Sequence, residues 1–139
     1  MPKTAEFCDI QVLYPDNWLP GPRQPEDGEG FDWELPSGGF VSIDHHDDAW
    51  SADEWIETTN KLLAEEYGEL ETEELPAETL PEGTVRAVEQ RFYYLDLLIL
   101  SRQWWIRRGT KQWAVHVQAE SRRFDENQMV FEAILKQIP

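Results

Sequence analysis

The chain has 139 residues and carries 28 acidic residues against 12 basic ones, a formal net charge of −16. This length is typical of one domain and is sufficient for a core without disulfide bonds, so we predict a single α+β domain over residues 1–139. Seven tryptophans and a hydrophobic fraction of 40% argue against disorder despite the charge. The acidity disfavours nucleic acid as a partner, because phosphate binding requires a basic field.

The charge is distributed unevenly along the chain. Residues 47–82 contain thirteen acidic residues and one basic residue, whereas residues 83–124 contain eight basic residues and three acidic ones. An exposed acidic segment can steer a basic protein partner towards its binding surface. The alternative is that the acidic segment only keeps the protein soluble.

The single cysteine, Cys8, excludes an intramolecular disulfide. The first residues lack the apolar stretch of a secretory signal, and the longest apolar run, residues 97–100, is far shorter than the ~20 residues of a membrane span. We therefore expect a cytoplasmic protein without a membrane partner.

Alternation of apolar and polar residues predicts strands over residues 7–14, 31–35 and 40–46. A helix follows, because Ser51 and Glu54 fit a capping box at its start. Trp50 and Trp55 form the matching hydrophobic staple. Gly68 predicts its end. The residues that we expect this helix to bury are Trp55, Ile56, Thr59, Leu62, Leu63 and Tyr67.

Residues 69–83 predict an extended connection with a short edge strand, and residues 84–94 a further strand. Residues 98–107 and 112–121 predict a hairpin about Gly109 and Thr110. In that register Ile106 lies opposite Trp113, Trp104 opposite Val115, and Leu100 opposite Ala119. Apolar residues then gather on one face, and Gln103, His116 and Gln118 lie on the other.

The last predicted helix runs to the C-terminus. Asp125 is its predicted N-cap with Gln128 three positions later, and Phe124 and Met129 form the predicted staple. The element order is β-β-β-α-β-β-β-α, which predicts an antiparallel sheet of about six strands with two main helices.

Several of these elements resemble the PsbP-like superfamily. The opening strand runs into Tyr14-Pro15-Asp16-Asn17-Trp18, similar to the Tyr/Phe-Pro-x-x-Trp entry of that superfamily. The strand at residues 38–43, the single central helix, the hairpin with Arg102-Gln103-Trp104 and the last helix follow in the same order. The superfamily includes photosystem subunits, DcrB-like proteins, a Ran-binding branch and the Eag chaperones of type VI secretion. The resemblance implies an α/β/α sandwich that binds other proteins and is usually non-enzymatic.

The most suggestive cluster for metal binding is Asp44-His45-His46-Asp47-Asp48, because imidazole and carboxylate are zinc and iron ligands. On a strand, however, His45 and His46 point to opposite faces, so we expect no metal site. The alternative reading of the segment is a polar strand end that leads into the helix cap.

No motif of nucleophilic catalysis is present in the sequence. Cys8 lies on the apolar side of its strand, and His116 and Glu120 are roughly 13 Å apart at ~3.3 Å per strand residue. We therefore expect no catalytic residues, no cofactor and no enzymatic activity. A minor enzymatic hypothesis rests on His45, His46 and Asp48.

Aromatic residues with arginine are typical anchors of protein interfaces. Trp105 points away from the face that holds Trp104, and we predict that Trp105, Trp33 and Tyr93 or Tyr94 line an open groove on the sheet. Arg102 is a further predicted binding residue, which lies on the apolar side of its strand and needs a partner or a wet cavity there. The alternative is that the helices simply cover these residues.

The leading functional hypothesis is a non-enzymatic protein-binding module, in the form of a chaperone-like adaptor or a secretion accessory. An immunity protein whose acidic surface blocks a basic toxin is the closest alternative. A small-ligand carrier with a tryptophan-lined pocket is another.

Overall fold

The computed structural model describes residues 3–7, 10–21, 23, 29–36, 38–46 and 51–138. Along the described chain the elements are β1 (Lys3–Phe7), β2 (Ile10–Tyr14), β3 (Leu19–Pro20), β4 (Gly30–Glu34), β5 (Phe40–His46), α1 (Ala52–Tyr67), β6 (Glu71–Glu74), β7 (Thr84–Tyr94), β8 (Leu97–Arg108), β9 (Lys111–Glu120) and α2 (Ser121–Lys136).

The main sheet has seven strands in the order β3-β4-β5-β9-β8-β7-β6, and every described neighbouring pair is antiparallel. Helix α1 covers one face of the sheet and α2 covers the other, so the architecture is an α/β/α sandwich. The predicted α+β fold class is confirmed. The sheet has seven strands rather than about six because the short strands β3 and β6 extend its two edges.

The first predicted strand is wrong in its extent. Residues 7–14 do not form one strand, because β1 and β2 form a separate antiparallel hairpin in which Phe7 pairs with Ile10. Cys8 lies outside the described residues. The hairpin packs beside α2, where the Gln137 side chain accepts a hydrogen bond from the Leu13 amide at 2.6 Å and donates one to the Leu13 carbonyl at 3.0 Å.

The start and the end of α1 are as predicted. The Ser51 hydroxyl accepts a hydrogen bond from the Glu54 amide at 3.1 Å, and the chain leaves the helix at Gly68 with a φ of +88°. Trp50 lies outside the described residues, so the predicted staple stays a prediction. Leu62 is exposed, and the buried stripe instead runs through Ala52, Ile56 and Leu63.

The hairpin of β8 and β9 has the predicted register at every pair named above. The face towards α2 is apolar and contributes most of one large core cluster. The face towards α1 carries the buried polar side chains Gln90, Ser101 and Gln103 beside a small apolar cluster around Trp105. The two faces of the sheet therefore differ in chemistry.

The predicted start of α2 is wrong. The helix begins at Ser121, directly after β9, and Asp125 is inside it rather than its N-cap. Phe124 is buried against the sheet, whereas Met129 is 83% exposed, so these two side chains form no staple. The helix therefore starts five residues earlier than the capping pattern indicated, because its buried stripe includes Phe124.

Gly39, in the turn between β4 and β5, lies so close to β9 that there is no space for a side chain. Gly39 has a φ of +92°, and a Cβ there would overlap the carbonyl oxygen of Gln118 in β9. We expect Gly39→Ala to lower the free energy of unfolding by more than about 2 kcal/mol, measured by urea unfolding. Gly38→Ala is the matched control, because Gly38 has a φ of +91° but open space around it. Equal losses in the two variants would contradict this packing.

Candidate functional site

The turn between β7 and β8 exposes an unusual group of large hydrophobic side chains. We call residues 93–97 the hairpin tip. The exposed fractions are 68% for Tyr93, 51% for Tyr94, 78% for Leu95 and 40% for Leu97. Single exposed hydrophobic residues are common on protein surfaces, whereas a contiguous group is typical of an interaction site.

The backbone of the hairpin tip is strained. Leu95 and Asp96 form the two-residue loop, with φ values of +49° and +68°. A two-residue hairpin with both φ values positive favours Asn or Gly, because a Cβ is crowded in the left-handed region. Leucine at this position therefore costs stability, which is typical of a residue retained for function.

On the side of the sheet that faces α2, Tyr93 adjoins a network of ion pairs. Arg91 forms hydrogen bonds to Glu73 at 2.9 Å and to Glu89 at 2.6 Å and lies 3.4 Å from Glu71. The hydrogen bond to Glu73, followed by that to Glu89, raises the pKa of Arg91. Arg91 is therefore neutralised by carboxylates, and the surface beside Tyr93 is acidic.

On the opposite side, which faces α1, Tyr94 borders a small depression that we call the tip pocket. The rings of Tyr67 and Phe92 are stacked with centroids 4.4 Å apart, and Tyr94 meets Tyr67 edge-on at 5.8 Å. Burial, followed by the charge of Glu66, raises the pKa of Tyr67. The residues lining the tip pocket are Gly38, Gly39, Tyr67, Phe92, Tyr94, Leu97, Ile99, Gln118, Ala119 and Glu120.

The structure does not assemble the predicted groove. Trp33 is buried on the α2 side against Tyr14 and Phe31, and Trp105 is buried on the α1 side. The indole N–H of Trp105 donates to Gln112 at 2.7 Å. The two tryptophans therefore lie on opposite faces and line no open surface, because both faces are covered.

Arg102 lies on the α2 side, away from the hairpin tip. Its Nε donates to Glu89 at 2.8 Å, and its guanidinium lies 4.4 Å from the centre of the Phe124 ring. Of the five predicted binding residues, only Tyr93 and Tyr94 belong to the hairpin tip, where they lie on opposite sides of the sheet. Leu95 and Leu97 were missed, and the signal that could have found them is the density of large apolar residues around a turn.

His116 is held beneath α1. Its Nε2 lies 2.5 Å from the Ser101 hydroxyl, and its ring meets Phe40 and Trp55 edge-on. Burial lowers its pKa to about 4. Glu120, four residues further along β9, binds Arg122 at 2.9 Å and not His116, as the separation along the strand predicted.

The predicted polar segment at the end of β5 is only partly described. Asp44 pairs with Arg23 at 2.5 Å, and His45 Nδ1 lies 3.4 Å from Glu29. Asp47 and Asp48 lie outside the described residues. Among the residues that are described, no three histidine, cysteine or acidic side chains are placed to hold a metal ion. No helix in the described part of the chain is long and apolar enough to cross a membrane.

Comparison with known proteins shows the fold alone. No family model and no curated protein matches the chain. The structure is similar to that of cyanobacterial PsbP (CyanoP) from Synechocystis sp. PCC 6803, with a TM-score of 0.56 and 14% identity over 91% of this chain and 84% of that one. It is also similar to PA94, a protein of unknown function from Pseudomonas aeruginosa, with a TM-score of 0.52 and 11% identity over 99% of this chain and 96% of that one. The fold is therefore PsbP-like, as the sequence resemblance implied.

Relief of the strain in the hairpin tip should stabilise the protein. We expect the double substitution Leu95→Asn and Asp96→Gly to raise the free energy of unfolding by about 1 kcal/mol, because both residues suit positive φ values. Urea unfolding measures the change. A loss of stability would show that the Leu95 side chain supports the fold rather than a surface.

The half-buried imidazole of His116 should make stability fall on acidification. The pKa of His116 in the folded protein, about 4, is below the ordinary value of 6.5. The unfolded chain therefore binds more protons between these values, and stability falls as the pH falls from 6.5 towards 4, by up to about 1.4 kcal/mol per pH unit.

Replacement of His116 by glutamine isolates this contribution from that of the carboxylates. As the pH falls from 6.5 towards 4, we expect the parent to lose more unfolding free energy than His116→Gln loses. Parallel curves over this range would contradict the buried neutral state of His116.

Proposed function

We propose that the protein is a non-enzymatic binding module for another protein and that the hairpin tip is its contact surface. The observation that carries this proposal is the exposure of four large hydrophobic side chains on a strained turn. Tyrosine is enriched among residues that dominate binding energy, and leucine adds apolar area. Burial of one such side chain against a partner contributes roughly 1.5–3 kcal/mol.

The shape of the tip supports contact with a macromolecule. Strands β7 and β8 hold Tyr93 and Tyr94 on opposite sides of the sheet, while Leu95 projects from the turn between them. A partner that surrounds the tip would contact both sides at once. Because the strands are long and paired along their length, this surface is preorganised and loses little entropy on binding.

The charge around the tip supports a basic partner. In the described part of the chain, Glu65 and Glu69 lie at the end of α1 where Tyr67 meets Tyr94, are exposed and form no ion pair. Like charges concentrated near an apolar surface accelerate encounter with a surface of opposite charge. The acidic segment therefore steers the partner, and the apolar tip holds it.

Among binding modules, we propose a chaperone-like adaptor or a secretion accessory, because the contact surface is apolar rather than acidic. An immunity protein would place carboxylates at the centre of its interface. Co-expression separates the two roles, since an adaptor raises the abundance of its partner and an immunity protein relieves the partner's toxicity.

Affinity purification from the native host tests the contact surface. We expect a tagged triple variant with Tyr93→Ser, Leu95→Ser and Leu97→Ser to recover at least about tenfold less partner than the parent, because the apolar anchors are lost. Met129→Ser is the matched control, since Met129 is 83% exposed but lies on α2.

The same purification can contradict the proposal. Recovery of one stoichiometric partner by the parent, the control and the triple variant alike would place the interface elsewhere. Circular dichroism of each variant establishes that a lost partner reflects the surface and not the fold.

A further inference from the structure

The tip pocket has the walls expected for the stem of a long side chain. It lies on the α1 side of the sheet, past the C-terminal end of α1, and has a volume of about 280 Å³. Tyr94, Leu97, Phe92 and Ile99 form its apolar walls. This volume is at the lower limit for small-molecule sites, which favours a single inserted side chain over a larger ligand.

The other end of the tip pocket is polar and acidic. Glu120 is the only charged residue among the described residues that line it, and Gln118 lies beside it with no side-chain hydrogen bond in the described protein. The Glu120 carboxylate is 17% exposed and already binds a guanidinium, that of Arg122, with Nε and Oε1 2.9 Å apart. Arg122 itself is 80% exposed and approaches from outside the pocket.

These features select a cation and disfavour an anion. A carboxylate or phosphate would enter a site that has one negative charge and no lining base. An arginine side chain would place its methylene groups along Leu97 and Ile99 and its planar guanidinium near Tyr94 and Glu120. Arginine stacks on aromatic rings and pairs with a carboxylate through two parallel hydrogen bonds, which an ammonium group cannot do.

We propose that the tip pocket receives an arginine side chain of the partner protein and that Arg122 is its internal competitor for Glu120. The proposal rests on the proposed function, because Tyr94 and Leu97 belong to both surfaces. It adds a specific recognition element to an otherwise general apolar contact. The acidic surface would attract the basic partner, and Glu120 would pair with one arginine of that partner.

Titration of the isotope-labelled protein with a small probe tests the site without the partner. We expect N-acetyl-arginine methylamide to shift the amide resonances of Leu97, Ile99 and Glu120 and to saturate with a Kd of roughly 1–10 mM. The citrulline analogue has the same shape without the charge and should cause no saturable shift. Equal shifts with both probes, or no saturable shift with arginine, would overturn the proposal.

Three variants distinguish a specific site from weak attraction to an acidic surface. Glu120→Gln should abolish saturation, and it keeps the helix start, because the Glu120 side chain makes no capping hydrogen bond. Arg122→Ala should raise the affinity about threefold by removing the competitor. Glu126→Gln is the matched control, since Glu126 forms an exposed pair with Arg123 on the same helix, and it should leave the affinity unchanged.

Failure of this proposal is distinguishable from failure of the proposed function. If the probe does not bind but the serine variants of the hairpin tip still lose the partner, the tip is an interface without an arginine site. If Arg122→Ala fails to increase probe affinity while Glu120→Gln abolishes it, the competitor role is wrong and the arginine site stands.

Discussion

The register of β8 and β9 is the constraint on which the rest of the structure depends. The turn at Gly109 and Thr110 places Ile106 opposite Trp113, and this register puts Trp104 on one face with Val115 and Trp105 on the other with Ala114. A shift by one residue would exchange the two faces completely. The same pairing aligns β7 and brings the hairpin tip to its position beyond the covered part of the sheet.

The two faces created by this register are stabilised in different ways. The α2 side is mainly apolar and contains most of the aromatic residues of the large cluster, beside the ion pair of Arg102 with Glu89. On the α1 side the Gln103 carboxamide is fully buried, and neither of its polar atoms has a hydrogen-bond partner in the described protein. A buried polar group without a partner costs roughly 1–3 kcal/mol. The α1 side therefore carries a desolvation cost at Gln103.

Local patterns in the sequence predicted the regular parts of the fold. The capping box at Ser51 and the hairpin register followed directly from residue spacing, because each depends on neighbours in the chain. The start of α2 was not predictable from capping signals, since the burial of Phe124 decides it. Likewise, alternation at residues 7–14 could not show that the chain pairs with itself there.

At the candidate site, too, local sequence patterns did not show which side chains the fold covers. Tyr93 and Tyr94 were predicted from their residue type, but the coverage of Trp33 and Trp105 depends on which helix lies over which face. Leu95 was missed because its importance lies in a positive φ and in the exposure of its side chain, neither of which follows from hydrophobic alternation. The positive φ and the exposure of Leu95 follow only from the three-dimensional structure.

Site-specific photo-crosslinking in the native host determines whether the hairpin tip contacts the partner. A benzoylphenylalanine at position 95 places the reactive group at the end of the hairpin tip, and the same residue at position 129 places it on the exposed face of α2. If the hairpin tip is the binding surface, position 95 yields one crosslinked protein of basic charge and position 129 yields none. Crosslinks from position 129 alone, or none from position 95 in cells that contain the partner, would contradict the assignment of the hairpin tip as the binding surface.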